Sequence, residues 1–384
     1  MRFFVAENRK EISSIQVSKL LSVTESLLAD EHLWRSYTND QHGVLLEVEM
    51  KVLLYSEGKK LFSKSGVGMA LKHQMSALDK VGVEYTTNEE DRFDVVHINT
   101  IGPGAERVLK KAKKAHIPVI YHTHTTYEDF RNSFTFSNAI APWLKKRLIK
   151  LYSSADFLIS PTEYAKKLIM NYGINLPIKA VSNGVDNKKF SRNKALAEKF
   201  LSDNEIRKPL VVSVGLPFER KGVIDFCQIA EARKDLTFFW FGAKISSLLP
   251  AKIRRLLRNP PDNVKFPGFV PQEMIIGPYS ACDVFLFPSY EETEGIVVLE
   301  ALSTEAPIVL RDIPVYSDWM KHNENCLKAK SNEEFMRQID ILLESNSVRK
   351  KITSCGKETA LERDLSIIGQ KLKSIYLEVL DKRP

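Results

Sequence analysis

The chain has 384 residues, of which 43% are hydrophobic and 27% are charged, and it holds only 17 Gly and 17 Pro. This composition excludes a collagen-like or broadly disordered protein, and the length predicts two domains that each bury a core. No run of 18 apolar residues occurs, and the N-terminus turns polar after six residues, so we expect neither a spanning helix nor a signal peptide. Four cysteines without paired spacing predict a reducing, cytosolic compartment: Cys227, Cys282, Cys326 and Cys355.

The net charge of +8 is unevenly distributed along the chain. Residues 1–50 sum to −3, residues 51–200 hold 25 Lys and Arg against 14 Asp and Glu, and residues 201–384 sum to zero. A basic excess confined to one domain indicates a negatively charged partner, such as anionic lipid or nucleic acid. A solvated surface that keeps the protein soluble is the alternative interpretation.

Strands and helices alternate twice along the chain. From Met50 onward, an apolar strand precedes a helix over 65–80, whose apolar residues have helical spacing. Further strands are predicted at 94–99, 117–123, 155–162, 209–215, 236–242, 263–269, 283–289 and 306–312. This alternation indicates parallel sheets built from βαβ units.

The second series of strands follows a polar stretch at 186–208, which we interpret as a linker. The predicted fold class is therefore α/β, with two doubly wound, Rossmann-like domains that face each other across a cleft. We expect these domains over 50–200 and 201–384, with a last helix that can cross back to the first domain. Residues 1–49 carry the opposite charge and form a predicted appendage of one or two short helices, to which we assign no role.

The sharpest chemical pattern is an acidic loop between a strand and an apolar helix at 288–302. Glu292 lies in the loop, Gly295 opens the helix, and Glu300 follows about one turn inside it. The first N–H groups of a helix bind phosphate, and carboxylates accept hydrogen bonds from sugar and ribose hydroxyls. The pattern favours a nucleotide sugar, with a solvated acidic loop as the alternative. The N–H groups concerned belong to Gly295, Ile296 and Val297.

A glycine-containing segment with Gly66 and Gly68 joins the first strand to its helix. Glycine at these positions lets the backbone approach a phosphate or a sugar closely. A dinucleotide-binding fingerprint needs a further glycine where the chain has Leu71. The sequence therefore disfavours a nicotinamide-dependent enzyme.

His122 is predicted at the carboxyl end of a strand, with His124 two residues further along. A metal site of His122 and His124 is one interpretation, but the sequence specifies no third ligand. A buried structural histidine is another. Position alone leaves the role of His122 open.

Glu292-Thr293-Glu294-Gly295, followed by Glu300, resembles the two-glutamate motif of family 4 of the retaining glycosyltransferases, which have the GT-B fold. The family's usual E-G-F-G sequence keeps only its two outer positions here, and Glu294 stands where the family has an aromatic residue. The resemblance implies that Glu292 reaches the donor sugar and that Glu300 binds the ribose of the nucleotide.

The loop at 212–222 resembles the family segment whose basic residues neutralise the diphosphate. The resemblance implies donor-binding roles for Gly215, Arg220 and Lys221, with Arg220 as the expected substitute for the family arginine at Leu216. A diphosphate leaving group needs this positive charge because negative charge develops on it as the glycosidic bond breaks. A solvated Arg-Lys turn is the alternative from the residues alone.

The resemblance assigns three further features of the site. His122 is expected to line the donor-sugar pocket, and the loop that contains Phe269 is expected to hold the base. His122, Glu292, Arg220 and Lys221 form the expected catalytic group. The resemblance implies no bound metal and no other cofactor, since the UDP-sugar is a substrate.

A basic helix is predicted over 140–152, with Leu144, Leu148 and Leu151 on one stripe. A basic amphipathic helix beside aromatic residues is typical of a protein that rests on an anionic membrane. The alternative is a domain helix that packs its leucines inward and keeps its lysines in water. The residues expected at the acceptor or the membrane are Tyr127, Trp143, Lys145, Lys146, Arg147 and Lys150.

Within the family, the segments from Met50 almost to the C-terminus are most similar to bacterial glycolipid synthases. This implies a peripheral enzyme at the inner face of the cell membrane that transfers hexose from UDP-glucose or UDP-galactose to a lipid. Galactosyl transfer to glucosyl-diacylglycerol is the first expectation, and glucosyl transfer to diacylglycerol is the second. A soluble or undecaprenyl-linked acceptor and a non-catalytic binding module are the alternatives, and no nucleic-acid partner is expected.

Overall fold

The computed structural model describes residues 50–57, 66–206 and 209–382. The predicted appendage over 1–49 lies outside these ranges. Within them, two six-stranded sheets carry helices on their faces, and both sheets belong to one compact unit. The predicted α/β class with two Rossmann-like halves is confirmed.

The first sheet has the strand order β2-β1-β3-β4-β5-β6. Its strands are β1 (Lys51–Tyr55), β2 (Glu84–Thr86), β3 (Val95–Ile98), β4 (Val119–His122), β5 (Phe157–Ser160) and β6 (Ile178–Ala180). Its helices are α1 (Gly66–Asp79), α2 (Pro103–Lys114), α3 (Tyr127–Phe130), α4 (Ser137–Tyr152) and α5 (Glu163–Met170). We call this half the first lobe.

The second sheet has the order β12-β11-β10-β7-β8-β9. Its strands are β7 (Leu210–Val214), β8 (Thr237–Phe241), β9 (Val264–Gly268), β10 (Val284–Phe287), β11 (Ile308–Arg311) and β12 (Leu327–Ala329). The remaining helices are α6 (Lys194–Asp203), α7 (Val223–Ala232), α8 (Ala251–Arg258), α9 (Gln272–Ala281), α10 (Ile296–Ser303), α11 (Asn332–Glu344), α12 (Asn346–Leu361) and α13 (Leu365–Asp381). The half that contains this sheet is the second lobe.

The central strands are buried on both faces because helices cover both sides of each sheet. β3, β4, β5, β10 and β11 are buried at every position, and their pairings are parallel. Their near-continuous apolar sequences predicted them. The strands that the sequence did not predict, β2, β6 and β12, are three residues long and lie at sheet edges.

The stretch interpreted as a linker contains a packed helix. α6 approaches α9 so closely that a Cβ on Gly277 would lie 2.8 Å from Leu196 O. Phe200 of α6 also packs edge-on against Phe239 of β8. The polar sequence of this stretch reflects one exposed face of a helix.

The leucine stripe of α4 belongs to the core. Leu144, Leu148 and Leu151 are at most 4% exposed and pack against the first sheet. The interpretation of this stripe as a membrane-facing surface is therefore wrong, and the inward-packing alternative holds. The exposed apolar residues around α4 are instead Phe136, Ile140 and Trp143.

No helix in the described ranges is both long enough and apolar enough to cross a bilayer.

α13, the last helix, returns to the first lobe and packs on α1. Leu365 N donates to Val185 O (3.2 Å) at its start, and Tyr376 Oη lies 2.8 Å from His97 Nδ1 near its end. A Cβ on Gly369 would overlap Ala77 O, so glycine permits this close packing of the two helices.

We predict that Gly369→Ala destabilises the fold, because the added methyl group would force the backbones of α13 and α1 apart. The expected loss is about 1–3 kcal/mol in the free energy of unfolding, measured by urea denaturation. Lys371→Ala on the exposed face of the same helix is the matched control and should change stability little. Equal stability of both variants would contradict the close packing.

Candidate active site

The second sheet reverses its strand order between β7 and β10, which lie side by side. In doubly wound sheets, ligands bind at the carboxyl ends of the strands beside such a reversal. The segment after β7 carries Arg220 and Lys221, and the segment after β10 carries Glu292. Gly222 lets these two segments touch, since it has φ +75° and a Cβ there would overlap Pro288 O.

Lys221 and Glu292, predicted from separate motifs, form a direct ion pair in the structure. Lys221 Nζ bonds Glu292 Oε1, and Ser289 Oγ donates to the same oxygen (2.7 Å). The Lys221 and Glu292 side chains are 17% and 6% exposed. Burial and the neighbouring Arg220 lower the pKa of Lys221, and the Glu292 carboxylate opposes that shift. The Lys221 side chain is therefore held against a carboxylate at the reversal point of the sheet.

Arg220 is bound by the first lobe. Its guanidinium pairs with Asp129 Oδ1 (2.8 Å), donates to Ser133 Oγ (2.8 Å) and donates to Glu291 O (3.1 Å). These contacts use Nε and Nη1 of Arg220, and its predicted role as a phosphate ligand remains a prediction. In this arrangement Arg220 links the two lobes, a role that sequence reasoning did not suggest.

Glu300 lies one turn inside α10 and is held by α9. Gln272 Nε2 and Tyr279 Oη donate to its two oxygens, each at 3.0 Å. Burial raises the pKa of Glu300 to about 7, and these two hydrogen bonds oppose the shift. Gln272 and Tyr279 were not predicted as part of the site, because nothing in the sequence of α9 marks them as partners of a carboxylate.

α10 begins at Ile296 after Gly295, as predicted. Gly295 has φ +92°, and no side chain among the described residues caps the helix. The N–H groups of its first turn, including that of Val297, are therefore suited to an anion. The geometry of this helix end supports the expected binding of a phosphate by its N–H groups.

Glu294, which replaces the family's aromatic residue, is turned toward the first lobe. Asn183 donates to Glu294 Oε2 from both its backbone N (2.9 Å) and its Nδ2 (2.7 Å). Burial raises the pKa of the Glu294 carboxyl, and hydrogen bonds from Ser182 and Asn183 oppose that shift. The substitution therefore creates a polar contact between the lobes.

Two further contacts hold the same loop to the first lobe. Thr162 Oγ1 donates to Thr293 O (2.8 Å), and Tyr164 Oη donates to Glu291 Oε1 (2.9 Å). Both donors lie just beyond β5, at the carboxyl edge of the first sheet. The carboxyl edges of the two sheets therefore meet at the loop that carries Glu292.

His122 ends β4 and is held by α1. Gln74 Nε2 lies 2.7 Å from His122 Nδ1 and donates to Asn99 Oδ1 (2.9 Å). Because an amide NH₂ only donates, Nδ1 accepts, and the proton of the neutral imidazole is on Nε2. Burial, with His124 and His97 nearby, lowers the pKa of His122 well below its usual value, so the ring stays neutral.

Two further histidine rings, those of His124 and His97, stack on His122. The His124 ring stacks on His122 with centroids 3.8 Å apart, and His124 Nε2 donates to Asn99 Oδ1 (2.9 Å). His97 stacks on the other side of His122 at 5.4 Å. Among the described residues, His122 Nε2, Asn99 Nδ2 and Gln74 Oε1 are buried without a hydrogen-bond partner. A ligand rich in hydroxyl groups would satisfy these three atoms.

Sequence reasoning identified His122 and missed Gln74, Asn99 and His97. His97 is the polar residue of the otherwise apolar β3, and Asn99 directly follows that strand, which was the signal that could have found them. Gln74 had no signal, since a glutamine on a helix is usually solvated. No group of three or more metal-binding side chains occurs in the described part of the chain.

The glycines predicted to bind a phosphate or a sugar lie in the predicted elements, and their binding roles remain predictions. Gly66 and Gly68 lie in the first turn of α1, within the helix expected over 65–80. Gly215 directly follows β7; its N–H donates to Phe241 O (2.9 Å) and its carbonyl accepts from Trp240 Nε1 (2.8 Å). The backbone N–H and carbonyl of Gly215 are therefore both hydrogen-bonded to residues of β8. Phe269, which is expected in the loop that holds the base, directly follows β9 and is 46% exposed.

The residues predicted at the acceptor or the membrane differ in their contacts and in their exposure to solvent. Arg147 and Lys150 pair with Glu106 at 3.3 Å and 2.8 Å, and Lys145 Nζ lies 5.4 Å from the Tyr127 ring centroid. Each of these three cations therefore has an interaction partner within the first lobe. Of the predicted residues, Trp143, Lys146 and Lys150 are exposed, and Lys150 is the one of these three that forms an ion pair in the described part of the chain.

Comparisons with known proteins match both lobes. Residues 77–189 match the family model described as Glycosyltransferase Family 4, and residues 197–359 match Glycosyl transferases group 1. A processive diacylglycerol alpha-glucosyltransferase of Acholeplasma laidlawii is 42% identical over 334 residues, which cover 86% of this chain and 99% of that protein.

An alpha-galactosylglucosyldiacylglycerol synthase of Streptococcus pneumoniae is 33% identical over 187 residues, which cover 48% of this chain and 47% of that protein. The crystal structure of Anabaena HepE in complex with UDP-glucose has the same fold, with a TM-score of 0.69 at 16% identity over 86% of this chain and all of that one. The chain therefore belongs to the family 4 glycosyltransferases with the GT-B fold, in the group of the bacterial glycolipid synthases.

Proposed function

We propose that the protein transfers a hexose from a UDP-sugar to a diacylglycerol-based membrane lipid with retention of the anomeric configuration. The observation that carries the proposal is the meeting of the two carboxyl edges at Glu292. Asp129 of α3 pairs with Arg220 at 2.8 Å, and burial raises the pKa of Asp129 while Arg220 and Lys221 oppose that shift, so charged groups of both lobes meet beside Glu292. A donor bound there would contact both sheets at once.

The charges divide the proposed donor site into two parts. Lys221 and the first N–H groups of α10 would stabilise the diphosphate as it leaves. Glu292 would accept hydrogen bonds from hexose hydroxyls, and His122 Nε2–H would donate to one. The ribose would lie at Glu300, in the role that the family motif implies.

Front-face attack is the proposed route to retention. Glu292 forms an ion pair with Lys221 and accepts a hydrogen bond from Ser289. A carboxylate with these partners is better suited to accept hydrogen bonds from hydroxyl groups than to act as a covalent nucleophile. The acceptor hydroxyl would then attack on the face that the diphosphate leaves, and a phosphate oxygen would take its proton. No metal is needed in this scheme, because Lys221 and helix N–H groups supply the positive charge.

Glucose is the first candidate for the hexose and galactose the second. The 42% identical relative is named a diacylglycerol glucosyltransferase, which favours glucose over the galactose first expected from the sequence. The test is a chromatographic assay of radiolabelled UDP-glucose and UDP-galactose with diacylglycerol, glucosyl-diacylglycerol and undecaprenyl phosphate, in the presence of EDTA. Labelled diacylglycerol products support the proposal, whereas label on undecaprenyl phosphate alone, or activity abolished by EDTA, would overturn the corresponding part of it.

Peripheral attachment at the inner face of the cell membrane is part of the proposal. Phe136, Ile140 and Trp143 are 76%, 41% and 62% exposed; Ile140 and Trp143 lie one turn apart on α4, and Phe136 directly precedes the helix. Lys146 adds an exposed cation near this apolar group. We call these four residues the α4 patch, and aromatic, aliphatic and basic side chains together suit an anionic lipid surface.

We predict that Lys221→Ala lowers turnover by at least about 10²-fold, because the leaving diphosphate would lose its buried cation. The measurement is the initial rate with saturating donor and a detergent-dispersed lipid acceptor. Lys350→Ala, an exposed lysine of α12, is the control. A wild-type rate in Lys221→Ala would remove its assigned role.

We predict that UDP binds more tightly as the pH rises from 6 to 8, by about fivefold, because Glu300 has a pKa of about 7. Above that pH its carboxylate is ionised and accepts hydrogen bonds from ribose hydroxyls more strongly. Calorimetric titrations of wild type and Glu300→Gln separate this effect from titration of UDP itself. The same pH dependence in both proteins would rule out the ribose role.

We predict that Phe136→Ser/Trp143→Ser weakens binding to vesicles that contain anionic lipid by at least about tenfold, because two large apolar side chains no longer enter the interface. Sedimentation of protein with vesicles is the measurement. Met170→Ser/Leu361→Ser removes two side chains of comparable exposure elsewhere and is the control. Equal binding of the two double variants would refute the α4 patch.

A further inference from the structure

The second lobe, whose net charge is near zero, contains one strongly basic segment. Residues 243–261 hold five basic residues and no acidic one. Within the described part of the chain, Lys244, Lys252, Arg255 and Arg258 form no ion pair, and all four are exposed. Positive charge is therefore concentrated here without compensation.

Helix geometry gathers three of these cations on one face of α8. Ile253 and Leu257 are buried and define the inward side of the helix. At 100° per residue, Arg255 points directly away from these two residues, and Lys252 and Arg258 flank it by about 60° on either side. The outer face of α8 is therefore a continuous cationic stripe.

The loop before α8 presents apolar side chains beside this stripe. Ile245 and Leu248 are 44% and 67% exposed. Arg254 Nη1 donates to Leu249 O (2.7 Å) and to Ser247 O (3.2 Å), which fixes the loop to the first turn of α8. Aliphatic and basic groups are thus combined on one small surface.

This surface adjoins the α4 patch of the first lobe. Thr135 N donates to Leu248 O (2.9 Å), and the exposed Phe136 is the next residue after Thr135. The apolar surface of the first lobe therefore continues onto the second. The cations of α8 extend it further.

We propose that the surface formed by Ile245, Leu248, Lys252, Arg255 and Arg258 binds the anionic headgroups of a lipid bilayer, so that both lobes rest on the membrane. The inference rests on the proposed function and adds to it a contact made by the nucleotide-binding half. Exposed aliphatic side chains beside the cations match the interface of a bilayer. Single-stranded nucleic acid would require aromatic platforms for stacking, which this segment does not have.

The test compares vesicle binding of two triple variants with equal loss of charge. Lys252→Gln/Arg255→Gln/Arg258→Gln should bind vesicles of 30% phosphatidylglycerol in phosphatidylcholine on the order of 10²-fold more weakly than wild type. Lys350→Gln/Lys351→Gln/Lys371→Gln, which removes exposed lysines of α12 and α13, should bind almost as wild type. Urea denaturation checks that both variants are folded.

The outcomes separate this inference from the proposed function. Equal binding of the two variants, with wild type bound, overturns the second-lobe contact alone. Failure of wild type to bind the vesicles overturns peripheral attachment and this inference together, while activity on detergent-dispersed acceptor tests the transfer reaction independently. Displacement of wild type from vesicles by equimolar DNA phosphate would assign the stripe to nucleic acid and overturn the lipid assignment.

Discussion

The loop between β10 and α10 is held from the opposite lobe, and the candidate site depends on this attachment. Thr162, Tyr164 and Asn183 each donate a hydrogen bond to it. These donors come from the carboxyl edge of one sheet, and the loop forms the carboxyl edge of the other. Because the loop is fixed at both its backbone and its carboxylates, Glu292 is presented beside Lys221 in a defined position.

Burial gives the two lobes different electrostatic characters. In the first lobe, His122 and His124 are neutral because burial lowers their pKa values, that of His124 to about 3. They therefore offer hydrogen bonds without charge, which suits hydroxyl groups. In the second lobe, Lys221 keeps a carboxylate partner and supplies a cation where negative charge would develop. A hexose carries neutral hydroxyl groups and a diphosphate carries negative charge, so the donor of the proposed reaction would meet matching groups in both lobes.

The sequence predicted features that depend on local pattern and missed those that depend on tertiary contacts. Long apolar strands, the start of α10 and the Lys221–Glu292 neighbourhood followed from periodicity and family motifs. The leucine stripe of α4 was misjudged because spacing shows that a helix has an apolar face and does not show which partner covers it. Arg220 was expected to contact the diphosphate, and its ion pair with Asp129, about ninety positions earlier, was not predicted. Gln74 and Gln272 act only through residues brought to them by the fold.

The contact between Asn183 and Glu294 also constrains how the cleft can open. Breaking this contact would remove hydrogen bonds from the buried carboxyl of Glu294, whose pKa is raised by burial, at considerable energetic cost. The Thr135–Leu248 hydrogen bond lies at an exposed rim, where water can replace it cheaply. The Thr135–Leu248 contact should therefore separate at lower energetic cost than the Asn183–Glu294 contact.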